Sequence, residues 1–269
     1  MQLIDHRSWF RDCRLISPMG FAGLCQHQSP FHKGDFEPSW YERISYASKV
    51  FVLRSHLQEF FTWLPEDTPP FVLVTSNFDA PVHPVMQYKI LHTQKVLRWY
   101  ACNLMKSIEP EVIFLLPLGL PLHRQADPIK VENFILNLSQ NPKAERILLN
   151  FGPDTPFREW WIQALRHHPA VDMVTQKESF ATYLSRMSTY RYVLSPPGLG
   201  YDCFRTWEAL ALGCVPIVLK DPDFDMLLFS KLPVWLIDDL AQLAVPPILF
   251  PHGSESIFLE YWKKQIPTL

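Results

Sequence analysis

The sequence predicts an α/β protein of two domains, each a mostly parallel sheet with helices on its faces. Three observations carry that prediction. Short runs rich in Val, Ile, Leu and Phe recur along the chain and end at polar residues, as strands buried on both faces do. Stretches with apolar residues at helical spacing alternate with them, which is the grammar of β–α–β crossovers. At 269 residues the chain is also too long for one small core, and about 150 residues per domain gives about two.

In order, KVFVLRS (49–55) and PFVLVTSN (70–77) are the first clear strands, with HLQEFFTWL between them as a short helix. Residues 87–105 put Ile90, Leu97, Tyr100 and Leu104 on one helical stripe, and the apolar run VIFLLPLGL follows. In the second half RILLNFG (146–152) is a strand and turn, PFREWWIQALRHH a helix, VDMVTQ a weak strand and SFATYLSRMS a helix. YRYVLSPPG then closes on a Gly/Pro turn, a helix covers 203–213, and CVPIVLK is the next strand. Pro117, Pro121, Pro128 and Pro142 gather among polar residues near 117–140, which divides the chain into domains 1–120 and 121–269. Ligands of such folds bind outside the carboxyl ends of the strands, so a cleft between two facing domains is the expected site.

Composition narrows the function. Hydrophobic residues make up 48% and charged residues 19%, so the chain buries a core and is not disordered. Its 25 basic and 27 acidic side chains argue against a nucleic-acid binder, which needs a basic excess to neutralise phosphates. A local basic cleft for a small phosphorylated ligand stays open. Twenty-five prolines, about twice the average share, sit at the edges of apolar runs, as rigid entries to buried strands and not as a linker. The segment MQLIDHRSWFRDCRL lacks the apolar stretch of a signal peptide. The run at 113–122 is broken by prolines and falls short of the ~20 residues that span a membrane. Cys13, Cys25, Cys102, Cys203 and Cys214 form no C-x-x-C pair, so free buried thiols and a soluble, cytoplasmic protein are expected.

The chemistry concentrates in SPPGLGYDCFRTWEALALGCVPIVL, residues 195–219. A strand runs into a loop holding Gly198 and Gly200, and a helix starts after Asp202, read as its N-cap. Phe204, Trp207, Ala211 and Cys214 form the sheet-facing side, while Arg205 and Glu208, three apart, share the other. The glycines let backbone approach a ligand, the helix N-terminus suits a phosphate, and Arg205 offers a bidentate fork. Glu208, one turn deeper, is placed to accept from vicinal hydroxyls such as a ribose's. The same spacing serves equally a Gly/Pro turn followed by an amphipathic helix with a surface Arg–Glu pair.

The string closely resembles the donor-domain signature of exostosin-like glycosyltransferases (family 47 and relatives), S-P-x-G-x-G-x-D-x-x-R-x-W-E-A-L-x-x-G-x-x-P-I-V. Weaker likeness extends to PFVLVTSNFDAPV (70–82), LRWYACN, LPLGL and LLNFGPDTPFRE. The resemblance implies a GT-B fold, with an acceptor-side N-terminal domain and a C-terminal domain that binds a nucleotide-sugar. It implies that Arg205 contacts the diphosphate and Glu208 the ribose. Asn150 and Arg158 would approach from the facing loop, and Ser195, Gly198, Gly200 and Thr206 would line the pocket. In its short N-terminal domain the chain is similar to the compact exostosin-like enzymes of large DNA viruses. Those include a chlorovirus β-xylosyltransferase acting in the host cytoplasm, so UDP-xylose is the favoured donor and a glycan, such as the N-glycan of a glycoprotein, the acceptor.

No cofactor or metal is expected, since Arg205 and helix amides would carry the leaving diphosphate. Asp221, Asp223 and Asp225 in DPDFD are read as a solvated loop. His27 and His32 border a candidate acceptor site, and Trp9, Trp40 or Phe78 are candidates to stack on a sugar. His167 and His168 end a helix, where its dipole suits them. Inverting transfer needs a base for the acceptor proton, and Asp79, in the turn after VLVTSN, is the candidate, ahead of Asp35 and His32. The alternative is a GT-B module that binds nucleotide or glycan without turnover.

Overall fold

The computed structural model describes residues 13–29, 38–76, 80–174, 176–224, 226–244 and 255–266. They form an α/β structure with two five-stranded, all-parallel sheets. The first holds β1 (His27–Gln28), β2 (Lys49–Leu53), β3 (Phe71–Ser76), β4 (Val96–Ala101) and β5 (Ile113–Leu115), side by side in chain order. The second holds β6 (Ala144–Leu149), β7 (Val171–Met173), β8 (Tyr190–Leu194), β9 (Val215–Leu219) and β10 (Trp235–Ile237), in the order 10-9-8-6-7. Every residue of β3 is buried, as helices on both faces of a parallel sheet require.

The prolines have a second use besides strand entry. Pro84, Pro128 and Pro156 open the helices Pro84–Leu91, Pro128–Leu138 and Pro156–Leu165, where the missing N–H costs nothing. Asp127 and Thr155 cap two of these by accepting from Lys130 N and Arg158 N.

One expected helix is not formed. Residues 87–105 divide into the end of the Pro84–Leu91 helix, a turn with Gln94 at φ 56°, and strand β4. Trp99 and Tyr100 are both buried, although neighbours in a strand point to opposite faces. Pairing with β3 and β5 along its two edges overrides the helical stripe. Its faces are covered by two separate hydrophobic clusters, one holding Tyr100 and the other Trp99, and Trp99 Nε1 donates to Thr75 Oγ1 at 2.9 Å.

The segment leaving β5 is not a solvated linker. Leu116, Leu118, Leu120 and Leu122 are all buried, and Leu120 N donates to Ile16 O at 2.8 Å. Gly119, at φ 75°, permits that contact, because a Cβ there would lie 2.7 Å from Ile16 O. The two ends of the described chain meet at this junction. Ile16 N donates to Ile257 O, Leu259 N donates to Arg14 O, and Trp262 of the Leu259–Gln265 helix meets Phe21 edge-on. The buried carboxylate of Glu132 accepts from Arg14 N and Leu15 N, each at 2.6 Å. One hydrophobic cluster therefore runs from Leu15 and Tyr100 through the leucines to Trp207 and Trp262.

Asp202 does not cap the helix that follows it. The N-cap is Cys203, whose side chain makes no capping bond, and the helix is Phe204–Ala211. The Asp202 carboxylate instead accepts from Leu118 N and from Trp207 Nε1, both at 2.7 Å. Its backbone N–H donates to Asn103 Oδ1 and its carbonyl accepts from Asn103 Nδ2. Asn103 reaches this position from a left-handed backbone (φ 51°), which asparagine tolerates better than most residues. Both sheets and their connection are thereby joined at one buried residue, through its carboxylate and its backbone together.

Four of the five cysteines are buried, Cys203 is half-buried, and all five are free thiols. No helix among the described residues is long and apolar enough to cross a membrane.

Asp202→Ala orphans two buried N–H donors. It is expected to lower unfolding free energy on the order of 3 kcal/mol, read from urea denaturation followed by circular dichroism.

Candidate functional site

The order of the second sheet marks a place for a ligand. From β6 the chain passes to β7 on one side and then returns to β8 on the other. At such a switch point the loops after the two central strands part and leave a crevice at their carboxyl ends. Asn150, Phe151 and Gly152 follow β6, and Ser195 to Gly200 follow β8.

A cavity of about 370 Å³ opens there, lined by Arg124, Arg158, Tyr183, Gly198, Arg205 and Glu208 among others. A second cavity, of about 530 Å³, adjoins it beside Asn150, Phe151 and Glu178, and Tyr183 and Arg205 line both. Cys203 at the N-cap makes no side-chain capping bond to the Phe204–Ala211 helix, and of the first-turn amides Thr206 N donates to Cys203 O.

Three guanidinium groups gather around that helix start. Arg158 is held by Pro197 O on Nε (3.1 Å) and more loosely by Asp154 on Nη1 (3.3 Å). Burial, and after it the charge of Arg205, push its pKa down. Gly198 makes room for it, since a Cβ there would meet Arg158 Nη2 at 3.0 Å. Arg205 lies over the Phe151 ring at 5.3 Å, and its Nε is buried without a hydrogen-bond partner. Arg124 lies over Phe204 at 4.7 Å.

Among these cations sits the buried carboxylate of Glu208, and the buried Asp202 also lines the cavity. Glu208 is 5% exposed and accepts a 2.8 Å hydrogen bond from Tyr183 OH. Burial raises its pKa above the usual carboxylate range, against the Tyr183 bond and the charges of Arg205 and Arg124.

Arg158, Gly198, Gly200, Arg205 and Glu208 thus converge on one cavity, and Asn150 on its neighbour, where its Nδ2 donates to Glu178 Oε2 at 2.9 Å. Ser195 and Thr206 do not line the cavity. Both are buried behind it, their hydroxyls 2.9 Å apart, and they brace the loop against the first helical turn. Arg205 and Glu208 share one side of their helix, as their spacing predicts, and both line the cavity; Glu208 is buried and bonded to Tyr183, while Arg205 is half-buried.

Sequence reasoning missed Tyr183, Arg124 and His123. Tyr183 carries no local signal beyond a helical stripe with Phe180 and Leu184, and Arg124 arrives on the one-turn helix Leu122–Arg124. His123 packs against Phe204 (5.9 Å), and burial with the adjacent Arg124 charge lowers its pKa to about 4.

Asp79, Asp35, His32, Trp9, Phe78 and Asp225 lie outside the described residues. Trp40 packs edge-on against Tyr41 and Phe60 and donates to Gln28 O, so its ring serves the core of the first half. His27 lies in β1. Asp221 accepts from Asp223 N, and Asp223 O accepts from Lys106 N, which ties that loop to the first half. Among the described residues no group of three or more His, Cys, Asp or Glu is placed to hold a metal ion.

No protein-family model matches the chain, and no curated protein matches it. The fold and the site define an α/β protein with a cation-rich crevice at a sheet switch point, and the likeness of residues 195–219 to exostosin-like enzymes rests on those residues themselves.

His123 is neutral in the folded protein above pH 4, whereas an unfolded histidine takes up its proton near 6.5. The unfolded chain therefore binds more protons between those values, and stability present above pH 6.5 is lost as pH falls toward 4. Melting temperatures of His123→Gln across pH 4–7 are expected to fall less steeply than those of the wild type.

Proposed function

We propose that this protein is an inverting, UDP-sugar-dependent glycosyltransferase of the exostosin-like type, built as a GT-B fold. The observation that carries the reading is the set of three guanidinium groups around an uncapped helix start, with one buried carboxylate a turn deeper. A diphosphate matches the first feature and a ribose the second. Arg205 and Arg158 grip the diphosphate, Arg124 adds charge from the connecting segment, and Glu208 accepts from ribose hydroxyls. The match of SPPGLGYDCFRTWEALALGCVPIVL to the family signature supports the same assignment independently of the geometry.

In this reading the acceptor hydroxyl loses its proton to a base, for which Asp79 is the candidate. Its oxygen then attacks the anomeric carbon from the face opposite the leaving group. The bond to the diphosphate breaks as the new glycosidic bond forms, and UDP departs with the electron pair. Charge grows on the diphosphate as it leaves, so the guanidinium groups and helix amides bind the transition state more tightly than the ground state. A glycan is the acceptor and xylose the favoured sugar, and the cations already present make a divalent metal unnecessary.

UDP release is the direct test. Incubation with UDP-xylose and other UDP-sugars is expected to yield UDP faster when acceptor glycan is present, and equally in chelator. Tight UDP binding without release for any donor would make the protein a non-catalytic binding module.

The fork geometry of Arg205 is separately testable. An ammonium contacts one phosphate oxygen where a guanidinium contacts two, so Arg205→Lys is expected to lose nearly as much kcat as Arg205→Ala, about 10²-fold or more. A Lys variant with near-normal kcat and a lowered melting temperature would reduce Arg205 to a structural role.

A further inference from the structure

We propose that Tyr183 is a positioning residue that lets this site distinguish ribonucleotides from 2′-deoxyribonucleotides, an inference that rests on the reading of Glu208 as the ribose acceptor. Glu208 lines the cavity with a nearly buried carboxylate, and among the described residues its Oε2 accepts from Tyr183 OH. The last torsion of a glutamate is broad, so a carboxylate without an anchor does not aim its lone pairs. Tyr183 supplies the anchor and leaves Oε1 as the oxygen available to a ligand.

Tyr183 is itself well held. It lies on the Phe180–Met187 helix, which Ser179 caps by accepting from Thr182 N, and its ring stacks on Phe180 (6.3 Å between centroids, 25° between planes). Burial, and after it the Glu208 charge, raise its pKa well above that of a free phenol, so it remains a donor at any working pH.

The bond has a second consequence. Burial pushes Glu208 toward its protonated form, and the Tyr183 bond is the first of the interactions that oppose it, ahead of Arg205 and Arg124. A protonated Glu208 would lose its charge and part of its acceptor capacity, which weakens the hydrogen bonds it takes from vicinal hydroxyls. Tyr183 therefore maintains the charge state as well as the direction of the carboxylate. A 2′-deoxyribose leaves one hydrogen bond to a buried, ionised oxygen unmade, and sites built around a hydroxyl reject analogues that lack it.

The experiment is calorimetry of UDP and 2′-deoxy-UDP on the wild type, Tyr183→Phe and Glu208→Gln, between pH 5.5 and 8. The wild type is expected to prefer UDP by about tenfold or more, the equivalent of one hydrogen bond to a charged group. In Tyr183→Phe the preference is expected to shrink to within about threefold. Its UDP affinity is also expected to drop as pH falls, because Glu208 loses the donor that keeps it ionised. A residue that only supports the fold would move the melting temperature and leave the preference and the pH profile intact. If the wild type does not prefer UDP, or Glu208→Gln keeps the full preference, the ribose reading fails and this inference with it. If Glu208→Gln abolishes the preference and Tyr183→Phe retains it at every pH, the Tyr183 inference alone is overturned.

Discussion

The Asp202 carboxylate is the point on which the arrangement of this molecule turns. One oxygen takes the Leu118 amide of the connecting segment, the other takes the Trp207 indole of the Phe204–Ala211 helix, and the backbone at the same residue pairs twice with Asn103 beyond β4. Asp202 is 4% exposed, so these bonds form where water does not compete. A buried carboxylate is costly alone and tolerable with its lone pairs satisfied. Because its partners come from both halves and their junction, the helix that begins two residues later is set relative to both. The cavity at the start of that helix inherits its geometry from this clamp.

Around the cavity the physics runs against stability. Arg158 is mostly buried, its side chain 14% exposed, and its acidic partner Asp154 is largely solvated at 3.3 Å. Among the described residues the buried Nε of Arg205 finds no hydrogen-bond partner, and its guanidinium lies over the Phe151 ring, with Tyr183 and the Glu208 charge acting on it. Glu208 is buried beside them with its pKa raised. Groups that a stable core would avoid or fully pair are here assembled at the carboxyl ends of β6 and β8. Departures of this kind from local energetic consistency are characteristic of sites that bind something. The surrounding protein absorbs the cost through the cluster that joins Trp207 to the leucines of the connecting segment and to Trp262 near the described C-terminal end.

That connecting segment carries two roles at once. Its leucines are buried and Gly119 permits contact with Ile16, so it is part of the core. It then turns outward through Leu122–Arg124 and delivers a guanidinium to the cavity wall. The position of Arg124 therefore depends on packing at the junction as well as on the second sheet.

What the sequence by itself determined were properties carried by near neighbours: the apolar runs that became β2, β3, β6, β8 and β9, the proline and hydroxyl signals at helix starts, and the three-residue spacing that brings Arg205 and Glu208 to one side of their helix. Those depend on backbone preference and period, which a window of ten residues holds. The tertiary structure decided everything that depends on segments far apart. It made 96–101 a strand, because β3 and β5 were there to pair with it. It put β7 and β8 on opposite sides of β6, which created the crevice. It diverted Asp202 from capping to clamping, and it brought Tyr183 to Glu208 across 25 residues of chain. No local pattern encodes these meetings, because each follows from the burial of surfaces that only the assembled fold brings together.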